Sequence, residues 1–416
     1  MNAAPHAPAG RRLRLSRVSV VSAFTLNGIL VGMWAVSIPA AEAQTGVDHA
    51  LLGSLLLLTG LGAFIGMQLT GYIINRIGSR ATTIAGAVLL SGAILLPIIT
   101  HDAFTLGVAL FVLGFTEGVI DVSQNTQAIA VERLYRRPIM STFHAWFSIG
   151  GAVGAGLGGI LLGAGLGLSN LLVAGAIGIA FTVVAAVGLL PKRISERRDA
   201  GPDAARTLAA PASRLSGARL ILLLGALAFI LMLVEGVAGN WSTLQITERL
   251  DAPDSVGALG YTFFAVAMTV GRFAADRVAA AVGPRMLVRY GAVTAALGLT
   301  VIVLSGVLWL SLAGWALLGI GLSGCVPQIF SAAGAITTGK QGTNIARVVS
   351  LGYLGFLAGP AVIGWLAQWS SVTVALVLPG LLCVVAVALS SVLPAKRPVA
   401  SLPDRELAPA VSVPES

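Results

Sequence analysis

Apolar residues in this chain come in long runs rather than in the short periodic stripes of a soluble helix or strand. Twelve runs stand out: 18–41, 50–74, 81–100, 103–127, 141–165, 169–190, 219–246, 256–275, 287–308, 310–332, 346–368 and 371–393. Each is near or above the ~20 residues that a helix needs to cross a ~30 Å hydrocarbon layer. The pattern predicts an all-α membrane protein with twelve transmembrane helices. The longest polar interval, 191–218, is rich in Arg, Ala and Pro and divides the twelve helices six and six. The expected organisation is a disordered N-terminus 1–17, a six-helix half 18–190, a linker 191–218, a second half 219–393 and a disordered tail 394–416. Both ends are Pro- and Ala-rich, a composition that does not build a core.

Charge then orients the spans. The N-terminus holds Arg11, Arg12, Arg14 and Arg17, and the even gaps hold groups such as Arg76 and Arg80, Arg133 to Arg137, Lys192 to Arg219, Arg272 to Arg289, and Lys340 with Arg347. With the tail included, these places account for 25 of the 26 Lys and Arg residues, and the odd gaps hold only Arg249. The bias of Lys and Arg toward cytoplasmic loops puts both termini and every even loop in the cytoplasm of a bacterial inner membrane. One miscounted helix would scramble that alternation, so charge also checks the helix number.

Composition agrees. Hydrophobic residues are 56% of the chain and charged residues 10%, against about 25% in a typical soluble domain. The net charge of +9 therefore reads as membrane topology and not as a nucleic-acid signal. Cys325 and Cys383 lie in apolar runs and have no disulfide or metal-ligand spacing. Arg11–Arg17 followed by a run ending near Ala41-Glu42-Ala43 imitates a secretory signal. That run is too long for the apolar region of such a signal, about 7–15 residues, so it reads as the first span.

The two halves echo each other. Gly32-Met33-Trp34 answers Gly239-Asn240-Trp241 at an offset of 207, and Ser148-Ile149-Gly150 answers Ser350-Leu351-Gly352 at 202. Internal repeats of this kind are how many transporters are built, with the substrate path at the repeat interface. The fifth and eleventh spans are rich in glycine. Small residues four apart let helix backbones approach closely where lipid removes the hydrophobic drive. Pro360 is expected to bend the eleventh.

Gly71-Tyr72-Ile73-Ile74-Asn75-Arg76-Ile77-Gly78-Ser79-Arg80 resembles the G-x-x-x-D-R-x-G-R-[KR] signature between the second and third helices of the major facilitator superfamily. Asn75 stands where Asp is usual and Ser79 where the first of two basic residues is usual. A second copy runs from Gly271-Arg272 through Asp276-Arg277 to Gly283 and keeps its Asp. The resemblance implies twelve helices in two halves and a cytoplasmic latch made by these loops on helix ends. It nominates Gly71, Asn75, Arg76, Gly78, Arg80, Arg272, Asp276 and Arg277 for gating, with a weaker latch at Asn75. Thr142-Phe143-His144 through Gly159, Glu235-Gly236 to Trp241-Ser242, and Gly355 to Pro360 resemble bacterial inner-membrane permeases distantly related to fucose permease. Gly150-x-x-x-Gly154-Ala155-x-x-Gly158-Gly159 is similar to the antiporter motif of drug exporters, with Ala155 in place of Pro.

Candidate chemistry is sparse. Three acids fall well inside spans: Glu117 and Asp121 in the fourth and Glu235 in the seventh. A charge at the bilayer centre costs about 2.5–3.5 kcal/mol even on the lenient insertion scale, so each should face a cavity or a partner. Glu117, Asp121 and Asn125 share one helical face. Two carboxyls a turn apart in low dielectric resist ionising together, which suits a proton-coupled carrier. No Lys or Arg lies deep in a span, Arg272 being near the cytoplasmic end of the eighth. Asp121 could alternatively pair with Arg76 or Arg80 as part of the gate. Asn27, Trp34, His144, Asn240 and Gln328 complete the candidate cavity. Trp and Asn together suit a sugar-like ligand, whereas Trp near a helix end, as at Trp241, Trp309 and Trp369, reads as an interfacial anchor.

Gly321-Leu322-Ser323-Gly324 matches a string of intramembrane serine proteases, but none of the four His residues follows Ser323 to act as base. The expectation is therefore not an enzyme and needs no cofactor. It is a monomeric carrier of a small polar solute, neutral or cationic, with protons and the lipid bilayer as its other partners. Proton-antiport efflux of drugs or metabolites is the alternative, and a receptor or purely structural protein a distant third.

Overall fold

The computed structural model describes residues 10–47, 49–195, 216–336 and 338–395. Twelve helices in it are long and apolar enough to cross a membrane, and the described residues contain no strand. They are α1 Gly10–Thr45, α2 His49–Ile77, α3 Ser79–Ala93 with a short helical turn that carries the span on to Ile99, α4 Ala103–Tyr135, α5 Met140–Gly163 and α6 Asn170–Gly188. The second six are α7 Gly217–Leu250, α8 Asp254–Val282, α9 Pro284–Leu304, α10 Leu308–Gly334, α11 Gln341–Ala367 and α12 Val372–Val392. α10 is interrupted between Leu322 and Cys325, and α12 opens and closes with short turns. The twelve-span reading thus holds, and the protein is a multi-pass membrane protein.

Several helices outrun their apolar runs. α1 begins at Gly10, so Arg11–Arg17 is helical and the expectation of a disordered 1–17 fails from residue 10 onward. Residues 1–9, most of the linker (196–215) and 396–416 of the tail lie outside the described residues. α4 continues to Tyr135 because Ala128, Ile129, Ala130 and Val131 are buried against neighbouring helices after the strongly apolar run has ended. It starts from a capping box in which Asp102 accepts from the Thr105 amide at 2.8 Å, and it ends where Arg136 turns left-handed at φ 54.

The halves share one packing plan. α1 packs on α5, α2 on α4 and α3 on α6; α7 packs on α11, α8 on α10 and α9 on α12. The glycine helices are among the closest of these pairs. A Cβ on Gly28, Gly32, Gly150 or Gly154 would overlap backbone across the α1–α5 seam, and one on Gly236, Gly355 or Gly359 would do so across α7–α11. Glycine here lets helices approach to backbone contact, the packing device expected in lipid. Gly78 and Gly283 occupy the same place in each half, before α3 and α9, at φ 88 ψ 154 and φ 85 ψ 160. That region is accessible essentially to glycine alone, which accounts for the glycine in both signature loops. Pro360 sits inside α11, which continues through it as helix.

The halves meet toward the end that carries the basic loops. There α2 packs on α11, α5 on α8 and α10, and α4 on α10 and α11. Outward faces carry exposed apolar side chains such as Leu57, Phe104, Ile160, Val183, Leu304 and Val384, as lipid contact requires. Trp309 and Trp369 are 72% and 79% exposed at helix ends, which fits interfacial anchors and not cavity residues.

Candidate functional site

Two polar clusters lie between the halves, one at mid-height and one at the basic end.

The mid-height cluster is built on α4. Because α4 runs to Tyr135, Asp121 lies about 21 Å from its basic end and Glu117 about 27 Å, at 1.5 Å per residue. Both acids are therefore central. Asp121 accepts from the Asn125 amide at 3.1 Å, and Asn125 also donates to the Asp121 carbonyl at 2.9 Å. Arg76 stacks over the Tyr72 ring and Arg80 donates to the Ala186 carbonyl, so neither takes up Asp121 as a gate partner. Asn27 of α1 approaches Glu117 without a hydrogen bond of good geometry, and both of its amide atoms are buried. Tyr353 of α11 stands within electrostatic reach of Glu117, Asp121 and Glu235.

The C-terminal half contributes a cation. Arg272 Nη2 lies 3.1 Å from Glu235 Oε1, with side chains 11% and 23% exposed. Arg272 also donates to the Ser148 hydroxyl of α5 across the halves. α8 extends to Val282, which leaves Arg272 about 15 Å from its end. The sequence reading, which kept Arg272 near the helix end and found no deep cation, is corrected here. His144 lies near Arg272, between the rings of Phe24 at 5.2 Å and Phe330 at 6.1 Å.

Other candidates are placed apart. Trp34 is buried in the apolar core of the first half among Leu30, Met33 and Leu106. Asn240 is exposed and bonds to the Gly236 carbonyl of its own helix, while Trp241 donates to the Pro360 carbonyl at 3.1 Å. Gln328 is buried on the basic half of α10.

The Arg272–Glu235 pair gives a test by double-mutant cycle. Glu235→Leu leaves a largely buried guanidinium without its carboxylate and is expected to cost about 3 kcal/mol. Adding Arg272→Met removes both charges and should restore part of that loss. Thermal unfolding of the purified protein checks this, and strictly additive losses would show that the pair is not coupled.

The basic-end cluster surrounds the start of α5. Its first amides have no intrahelical partners. Glu132 of α4 accepts from Ile139 N at 2.9 Å and Met140 N at 2.8 Å. Asp276 of α8, from the other half, accepts from Ser141 N at 3.0 Å, Thr142 N at 2.7 Å and the Thr142 hydroxyl at 2.6 Å. Two carboxylates thus cap four successive amides, where a helix N-terminus favours negative charge. Ser331 of α10 donates to Glu132 at 2.7 Å, and Arg133 donates to the Gly334 carbonyl at 2.8 Å. Asp276 and Arg272 were legible in the signature. Glu132, Ser148, Ser331 and Tyr353 were missed, because nothing local to them announces a partner in the other half.

The corresponding contact of the first half is neutral. Asn75 donates to the Thr343 hydroxyl of α11 at 2.9 Å and to the Gly71 carbonyl at 2.6 Å. Gly71 packs directly on Gly342 and Ala346. Ser79, the other departure from the signature, is fully buried and accepts from Gln127 at 2.8 Å. An arginine there would have to be buried in the same place. Arg277 is exposed.

Comparison with known proteins agrees with this architecture. The family model of the Major Facilitator Superfamily matches residues 20–244 and again 224–414. An uncharacterised MFS-type transporter of Yersinia pestis is 36% identical over 86% of this chain and 91% of its own length. The membrane protein MosC of Rhizobium meliloti is 32% identical over 87% of this chain and 86% of its own. Among solved structures, the crystal structure of the transporter FucP in its outward conformation superposes with a TM-score of 0.71 at 16% identity, covering 90% of this chain and 97% of that one. FucP is the fucose:proton symporter of E. coli. On its fold, its paired signature loops and these matches, the chain belongs to the major facilitator superfamily of membrane transporters.

Proposed function

We propose that this protein is a secondary transporter of a bacterial inner membrane that moves a small polar solute by alternating access, coupled to protons. The observation that carries the reading is the placement of Glu117 and Asp121 at mid-height of α4, bonded to no cation among the described residues and within electrostatic reach of Tyr353 of the opposite half. A carboxyl that switches between charged and neutral as it meets each side of the membrane is what proton coupling requires. By the distribution of Lys and Arg, the basic end is cytoplasmic and the contacts there close the cytoplasmic side.

Substrate charge follows from the same groups. Arg272 is paired with the Glu235 carboxylate and also donates to Ser148, so among the described residues the cluster offers an anion no cation without a countercharge. A neutral or cationic solute is favoured, since an anion entering low dielectric needs a fixed cation. Polar and aromatic side chains such as His144 and Tyr353 suit a sugar-like solute, and the fold shared with a fucose:proton symporter points the same way. Uptake of a solute panel into membrane vesicles, with and without a proton gradient, tests this. Gradient-dependent uptake of a neutral or cationic polar solute is expected, and saturable transport of a dianion would overturn the substrate class.

Topology is tested separately. A membrane-impermeant thiol reagent applied to intact cells should label Asp251→Cys, which replaces an exposed residue between α7 and α8. It should not label Asp203→Cys. Labelling at 203 would reverse the orientation.

A further inference from the structure

The two halves cap their mutual contacts unequally. The start of α5 receives two carboxylates, but among the described residues the start of α11 receives none. Its N-cap residue, Lys340, makes no side-chain cap, and the neutral Asn75 occupies the place where the other half has Asp276. A pocket opens here, lined by Ile74, Asn75, Thr126, Gly339, Lys340, Gln341 and Gly342. No carboxylate lines it. Gln341 is 8% exposed, and both its amide nitrogen and its amide oxygen are buried without a partner. A buried amide left in this state costs free energy unless something binds it. The pocket therefore joins a helix N-terminus, an ammonium group and an unused amide.

We propose that this pocket binds a phosphate-type oxyanion, which supplies to α11 the negative charge that Asp276 and Glu132 supply to α5. Amides at a helix start with a lysine beside them form a recurrent phosphate site. The anion would sit on Lys340 and Gln341 beside Asn75, whose own amide already donates to Gly71 and Thr343, and by neutralising the α11 N-terminus would hold the α2–α11 contact closed. Its role as a latch rests on the transport reading above, whereas its binding does not.

Two sources share this chemistry: free inorganic phosphate and the phosphate of an anionic lipid headgroup at the membrane surface. The test begins with the whole protein in detergent, titrated with inorganic phosphate at matched ionic strength. The readouts are the melting temperature and the broadening of the phosphorus resonance. A parallel arm adds phosphatidylglycerol in place of phosphate, with a neutral glycolipid as control. A saturable upward shift in the first arm identifies free phosphate, and a shift in the second arm alone identifies the headgroup. Lys340→Gln and Gln341→Leu should each weaken the response about tenfold, the loss expected for one charge-assisted hydrogen bond. Asn75→Asp supplies the charge internally and should abolish the response. An unsaturable response, an equal response in Lys340→Gln, or a full response in Asn75→Asp would overturn the proposal, as would no response in either arm. Phosphate broadening by the parent protein reads binding even where a variant fails to fold, and it persists if the transport reading fails.

Discussion

Glu117→Gln should abolish gradient-driven accumulation while sparing exchange of solute down its own gradient. The change keeps the shape of the side chain and one accepting oxygen but fixes the group in a neutral state. Glu117 is partly exposed at mid-height, Asn27 approaches it and Asp121 lies one turn away on the same face. The expected magnitude is large. A proton crossing about 100 mV releases about 2.3 kcal/mol, enough for about fiftyfold accumulation per coupled proton. The variant should bring the internal-to-external ratio to that of simple equilibration, measured in proteoliposomes with an imposed gradient. If Glu117→Gln accumulates solute as the parent does, the coupled proton passes to Asp121 or Glu235. The alternative reading of Asp121 pairs it with Arg76 or Arg80 as part of the gate. Its central position and its bond to Asn125 remove that role, so Asp121→Asn should change coupling or solute affinity and leave the closed end closed.

Asp276→Asn is expected to have the second largest effect, at the opposite level of the molecule. Asp276 makes three hydrogen bonds across the halves, and as a carboxylate it also complements the α5 N-terminus. Losing the charge should disfavour the closed basic end by about 2 kcal/mol, a shift of roughly thirtyfold in the closed-to-open ratio. Ile129→Cys reports on it, since Ile129 is buried against Gly334 of the other half. In inside-out vesicles, alkylation of that cysteine should accelerate by about the same factor when Asp276→Asn is added. Asn75→Ala removes neutral hydrogen bonds only and should accelerate it severalfold less. Equal effects of the two changes would show that the halves are latched symmetrically.

Much of this arrangement was legible in the sequence, and the reason is physical. Lipid forces every span to be apolar and every loop to declare its side by charge, so helix number and order follow from composition alone. The signature glycines Gly78 and Gly283 were legible because their backbone conformation excludes other residues. Helix ends were not legible. Glu132 and Arg133 look like loop charges, yet they lie in the last turns of α4 because their partners are the start of α5 and the end of α10. The same blindness hid Arg272–Glu235, which joins α8 to α7 over 37 positions of sequence. The placement of Trp34 was not legible for the converse reason, since an aromatic beside a polar face reads alike whether it faces a solute path or, as here, a packed core.

The central claim is that two six-helix units rock about the mid-height acids, so that one end opens as the other closes. Spin labels on exposed positions measure this directly. One pair, Arg137→Cys with Arg277→Cys, spans the basic end, and another, Ala43→Cys with Glu248→Cys, spans the opposite end. In the presence of solute and across a pH series, the basic-end distance should lengthen in the same fraction of molecules in which the opposite-end distance shortens. Distances that move in the same direction, or that stay fixed under every condition in which transport is observed, would contradict alternating access in this protein.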